Sequence, residues 1–132
     1  MDIYGNSVQA WYTIREFVTE DGIRKQEFRT YLDDDNEEEE DWFDFKIAFL
    51  TDGRIKVTDM FVGKASHRKK GIPDALILEI KRLYNKKVIS SSNKNKLVRS
   101  EWRKPPATKV WERLVLKNKA NYNSQTDTFE LI

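Results

Sequence analysis

Ser66-His67-Arg68-Lys69-Lys70-Gly71-Ile72-Pro73-Asp74 gathers the residue types best suited to chemistry in this chain. Arg54 to Val62 before it reads as a strand, with Ile55, Val57, Phe61 and Val62 as its branched and aromatic members. Leu76, Ile77, Ile80, Leu83 and Tyr84 follow at helical spacing. Pro73 suits the first turn of that helix, where its missing N–H has no intrahelical partner to lose. A basic, glycine-containing turn between strand and helix aims free main-chain N–H groups and the positive end of a helix dipole at one point. The chemistry on offer is anion binding, with a phosphate or pyrophosphate as ligand. Spacing alone also fits a plain solubilising turn.

Other reactive residues are scattered. Asp59 sits on the strand entering the turn and alternates with Val57 and Phe61, which would make one end of an apolar row polar. A partnered structural aspartate is its simpler role. His67 beside Arg68 either tunes an anion site or is merely exposed. Trp102 stands among Lys94, Lys96, Arg99, Arg103 and Lys104, where it would stack on a base, cover an acceptor or, as we favour, anchor a long loop.

The elements that must position these groups follow from pattern. The chain has 132 residues, enough for one domain with one core, and we read 1–132 as a single domain. Charged residues make up 35%, yet the net charge is only +2, so charge selects no partner class. With no cysteine and one histidine, thiolate chemistry is excluded and a histidine-rich metal site is disfavoured. No apolar run is long enough to span a membrane and Met1-Asp2-Ile3-Tyr4 does not begin a secretory signal, so a cytoplasmic protein is expected. Strands are expected over Trp11–Val18 and Ile23–Tyr31 around Glu20-Asp21-Gly22, and over Trp42–Leu50 and Ile55–Val62 around Asp52-Gly53. The acidic run 33–41 separates the two hairpins and reads as a solvated loop. After the first helix come a short strand, Val88–Ser92, and a second helix, Ala107–Lys117, started by Pro105-Pro106 and carrying Val110, Trp111, Leu114 and Val115. A hairpin, Ala120–Tyr122 with Thr128–Ile132, closes the chain. Strand, helix, strand implies a right-handed crossover, which sets Val88–Ser92 parallel to Ile55–Val62. The fold class is therefore α+β: a mixed, mostly antiparallel sheet with two main helices and a three-layer α/β/α tendency. The strand-rich first half leaves a sheet edge that a second copy would cover.

Arg68-x-x-Gly71-x-Pro73 resembles the R/Q-x-x-G-x-G/A loop of the GCN5-related N-acetyltransferases, and Ala107-x-x-x-Trp111 resembles that family's A-x-x-x-Y segment. The likeness covers about Arg54 to Ile132. It implies that acetyl-coenzyme A is bound with its pyrophosphate at the loop Arg68, Lys69, Lys70, Gly71, Ile72 and Pro73, held by the loop's main-chain amides other than that of Pro73, between two splayed parallel strands. It further implies main-chain groups near Phe61 and Val62 for polarising the thioester carbonyl, and Trp111 at the cofactor. Pro73 stands where the family has Gly or Ala, Trp111 where it has a Tyr acid, Lys104 where it has Asn, and Val115-Leu116 where it has Gly-Phe. An indole N–H cannot act as an acid at neutral pH. Asp59 and Tyr84 are the catalytic candidates in its place, with Tyr122 and Ser90 to Ser92 as further proton donors.

The expected function is an acetyl-coenzyme A-dependent N-acetyltransferase acting on an amine, either of a small molecule or of a protein lysine or N-terminus. A catalytically inactive binding module of the same fold is the alternative. A nucleic-acid binder using Lys64 to Lys70 and Lys94 to Lys104 ranks last, because the chain is nearly neutral and carries no nucleic-acid module signature.

Overall fold

Alternation of apolar and polar residues sets the first half of the chain, and the structure, a computed structural model, describes residues 10–32, 42–61 and 71–132. Four strands form two antiparallel hairpins: β1 (Ala10–Val18), β2 (Arg24–Leu32), β3 (Phe43–Phe49) and β4 (Ile55–Phe61). Gly22 (φ 79°) and Gly53 (φ 92°) take the left-handed backbone their turns require. Then come α1 (Ile72–Tyr84), β5 (Val88–Ile89), α2 (Pro105–Leu116), β6 (Ala120–Asn123) and β7 (Thr128–Leu131). The sheet has seven strands in the order β1-β2-β3-β4-β5-β7-β6, and only β4 and β5 are parallel. This is the mixed α+β arrangement expected, with β5 shorter than the expected Val88–Ser92.

Phe28, Phe45, Ile47, Ile55 and Val57 from the sheet, Leu76, Ile77 and Ile80 from α1, and Val110, Trp111 and Leu114 from α2 form one buried cluster. Strand register puts these sheet residues on a single face, so both helices lie on that face. The layers among the described residues are therefore two, helix on sheet, where three were expected. The opposite face carries a row of ions. Glu27 accepts from Arg29 (2.6 Å) and pairs with Arg15 (3.5 Å) and Lys46 (3.9 Å), which surround it and leave it nearly buried.

One irregularity changes which residues face where. Val57 lies opposite Ile47 and Asp59 opposite Lys46, so Thr58 is an extra residue on β4. A bulge of this kind shifts the alternation by one position. Asp59 thus joins the ionic face, on the side of Lys46 and Lys25, and Met60 packs against the core in its stead. The expectation that Asp59 alternates with Val57 fails for this reason.

The 93–104 segment is pinned by two charged residues, Glu101 on the ionic face and Arg103 beside Phe129 on the helix-covered face. Buried Lys56 donates to both Glu101 carboxylate oxygens (3.0 and 2.9 Å), and Glu101 also accepts from the main-chain N–H groups of Ser92 (2.7 Å) and Leu97 (2.8 Å). Arg103 donates to Ser91 O (2.9 Å), Asp127 O (2.8 Å) and Asp127 Oδ1 (2.7 Å) while lying over the Phe129 ring. Burial acts to raise the Asp127 carboxyl, but donation from Arg103, Asn93 N–H and Tyr122 prevails and lowers it to about 2. Trp102, between these two anchors, is 58% exposed. The loop is held by Glu101 and Arg103, and the anchoring role expected of Trp102 falls to its neighbours.

Candidate functional site

The parallel pair is where the sheet opens. β4 and β5 share two register pairs, Ile55 with Val88 and Lys56 with Ile89, and then part. β4 continues to Phe61, whereas the chain after β5 turns to β7, with Ser90 N bonded to Phe129 O (2.9 Å). Ser91 Oγ spans the start of the gap by donating to Val57 O (2.7 Å). Beyond that bond no described strand pairs with this side of β4.

The bulge decides which main-chain groups face the opening. Leu50 N donates to Arg54 O and Ile55 N to Lys87 O, which fixes the phase of β4 between its two neighbours. Past Thr58, Asp59 and Phe61 turn their main-chain groups toward Lys46 and Asp44 of β3, and Met60 turns its N–H toward the gap. The main-chain donor expected at Phe61 is thus committed to β3, and Met60 stands in that role. Val62, Arg68, Lys69 and Lys70 lie outside the described residues, as do His67 and the acidic run 33–41.

A cleft of about 440 Å³ lies over this opening. Its walls are Thr58, Asp59 and Met60 of β4, Ser91, the Glu101–Lys104 segment, and Asp21 and Lys25 from the first hairpin. Asp59 Oδ2 accepts from Lys25 Nζ (3.0 Å) and from Thr58 Oγ1 (2.8 Å), with its carboxylate still 45% exposed to the cleft. That position suits a carboxylate that meets a cationic or neutral amine.

Helix α1 begins at the same end of the sheet. Its last turn precedes Lys87, which pairs with the start of β4, so its first turn lies where β4 and β5 part. Gly71 is the N-cap residue, in left-handed conformation (φ 72°), and no side chain makes a capping hydrogen bond. Pro73 contributes no N–H, leaving Ile72 and Asp74 as main-chain donors of the first turn; Ala75 N is used by Gly71 O (2.9 Å). Asp74 does not cap. It points to α2 and takes a two-pronged contact from Arg113, 2.7 Å from Nη2 and 3.1 Å from Nε. Its charge is thereby neutralised away from the helix end.

Two expected site residues are elsewhere. Trp111 is fully buried, stacked on Phe129 at 6.1 Å, and lines no part of the cleft. Its position on the apolar stripe of α2 makes it core, which removes it from the cofactor contacts. Tyr84 ends α1, about 18 Å along the axis from the first turn at 1.5 Å per residue. Its hydroxyl donates to Gln26, and its ring packs edge-on against Phe49. Gln26 and Lys25 are consecutive strand residues and face opposite sides of the sheet, so Tyr84 and Asp59 are not brought together. The other proposed donors are committed too: Ser90 Oγ to Ser91 O (2.8 Å), Ser92 Oγ to Thr126 O (2.6 Å), and Tyr122 Oη to Asp127 (2.7 Å). Met60 and Lys25 carry no sequence signal as site residues, whereas Trp102, favoured as a loop anchor over an acceptor cover, lines the cleft. What brings Met60 to the gap is the bulge, which a regular alternation conceals.

Among the described residues no three His, Asp or Glu side chains gather as a metal centre, and no helix is long and apolar enough to cross a membrane. The chain matches no family model, no curated protein and no solved structure in comparisons with each.

Proposed function

We propose that the chain binds acetyl-coenzyme A in the gap between β4 and β5 and transfers the acetyl group to an amine, as a divergent, compact N-acetyltransferase of the cytoplasm. The observation that carries this reading is the parting of β4 and β5 after two register pairs, beside a cleft and a helix start without a side-chain cap. Bound there, the thioester supplies the activated acetyl group. Ile72 and Asp74 N–H, with the dipole of α1 behind them, suit its diphosphate. Met60 N–H is oriented to donate to the thioester oxygen, where negative charge develops as the amine attacks. Asp59 is placed to hold the incoming ammonium and, through water, to accept its proton. The new C–N bond replaces the C–S bond, and the coenzyme leaves as a thiolate that takes its proton from solvent.

The inactive binding module keeps one specific support: neither Trp111 nor Tyr84 can reach a leaving thiolate. A thiol-release assay separates the two readings. With acetyl-coenzyme A and a panel of diamines, lysine peptides and protein N-termini, transfer produces free thiol that falls at least tenfold in Asp59→Asn, a loss typical of a general base. Binding of acetyl-coenzyme A without thiol release from any acceptor would favour the module.

A further inference from the structure

β1 is a complete strand with nothing described on its outer side. All nine residues pair with β2, from Ala10 opposite Leu32 to Val18 opposite Arg24, without a bulge, proline, glycine or lysine. Trp11 (41%), Ile14 (46%) and Val18 (66%) are exposed along it. Sheet edges of this length normally carry devices that prevent further pairing; the charges β1 has, Arg15 and Glu16, are each paired within their own hairpin, to Glu27 and Arg24.

The direction of its main-chain groups is fixed by the hairpin. Thr19 N donates to Ile23 O (3.0 Å), so Phe17, Arg15, Thr13 and Trp11 exchange bonds with β2. Tyr12, Ile14, Glu16 and Val18 therefore turn their N–H and C=O groups outward.

We infer that β1 is the seam of a two-fold dimer, in which two copies of this chain pair β1 antiparallel with Ile14 opposite Ile14. Regular antiparallel pairing sets outward-facing residues against outward-facing residues, which limits the axis to a few positions. An axis at Arg15 sets two arginines directly opposite, a destabilising like-charge pair. An axis at Thr13 leaves Phe17 and Val18 beyond the partner strand. The axis at Ile14 pairs the whole of β1, with Trp11 opposite Phe17, Tyr12 opposite Glu16 and Thr13 opposite Arg15. It opposes no like charges and makes an aromatic cross-strand pair on each side. Arg15 and Glu16 already have partners within their own chain, Glu27 and Arg24, so neither meets the seam unpaired. The same hairpin supplies Asp21 and Ile23 to the cleft, so the seam would also steady one wall of it.

Sedimentation velocity from about 1 to about 200 μM, a span that covers weak and moderate affinities, tests this inference without any ligand. The wild-type chain is expected to sediment as a dimer at the upper end. Ile14→Lys and Ile14→Glu, each checked for fold by circular dichroism, are expected to be monomers, with dissociation constants raised about tenfold or more by like charges at the axis. An equimolar mixture of the two restores the dimer, with Lys opposite Glu. Because the chain has no cysteine, Ile14→Cys offers one thiol at the axis, and it is expected to cross-link on oxidation while Leu116→Cys, on exposed α2, does not. A monomeric wild type throughout, or Lys and Glu variants that dimerise as the wild type does, would overturn the inference. Cross-linking of both cysteine variants alike would overturn the register.

Discussion

Arg113 of α2 holds Asp74 of α1 by two hydrogen bonds, 2.7 and 3.1 Å, and thereby draws the only acidic side chain of the first turn away from the helix end. Asp74 is the residue type that would otherwise cap the turn or repel an anion beside it. The ion pair therefore does two things: it joins the helices, and it leaves the turn's amides to face outward.

Breaking this contact should affect both properties. Arg113→Met leaves a buried carboxylate unpaired and is expected to cost about 2 kcal/mol, less than breaking a fully buried pair because the arginine is partly exposed. It should also weaken acetyl-coenzyme A binding, since Asp74 is then free to turn to the helix start. Denaturant unfolding and a binding titration on the same variant measure the two effects.

The Lys56–Glu101 pair is more deeply buried and should behave asymmetrically. Lys56→Met alone strands the Glu101 carboxylate and is expected to destabilise by about 3 kcal/mol or more. Adding Glu101→Gln removes the stranded charge, and its single amide oxygen can keep only one of the two main-chain donors, Ser92 N–H or Leu97 N–H, so it should recover only part of that loss. A double-mutant cycle in urea checks the coupling.

The two tryptophans of the second half should give opposite results. Trp111→Ala empties a fully buried site between α2 and Phe129 and is expected to cost about 3–5 kcal/mol. Trp102→Ala removes an exposed ring and should change stability by less than about 0.5 kcal/mol. Thermal melts of both variants suffice.

Acid stability should depend on Asp127. Its folded carboxyl is lowered from 3.8 to about 2, burial being outweighed by Arg103, Asn93 N–H and Tyr122. A depressed acid contributes its stability in full above the unfolded value and loses it as pH falls through the folded one. The wild type should therefore lose stability between about pH 4 and pH 2 more steeply than Asp127→Asn, as read from unfolding free energies across that range.

The sequence made the strands and helices legible because periods of two and of 3.6 are set by apolar burial, and the main apolar cluster lies on one face of the sheet. Val110, Trp111 and Leu114 were already visible as an apolar stripe; only the family resemblance moved Trp111 toward a cofactor. Thr58 was illegible, since Lys56-Val57-Thr58-Asp59-Met60 reads as ordinary alternation and a bulge depends on the partner strand. That one residue sent Asp59 to the other face and exchanged Phe61 for Met60 at the gap. The bond from Tyr84 to Gln26 spans 58 positions and left no local trace. The Lys56–Glu101 and Arg103–Asp127 pairs were hidden for the same reason.

Isothermal titration of acetyl-coenzyme A into the wild type, Gly71→Asn and Gly71→Glu tests the proposal most directly. Asn tolerates the left-handed backbone at this position, whereas Glu brings a carboxylate to the amides of the first turn. The proposal predicts saturable one-to-one binding to the wild type, near-unchanged affinity for Gly71→Asn, and loss of about tenfold or more for a folded Gly71→Glu. No heat of binding at millimolar ligand with the wild type, or equal affinity for all three proteins, would contradict it.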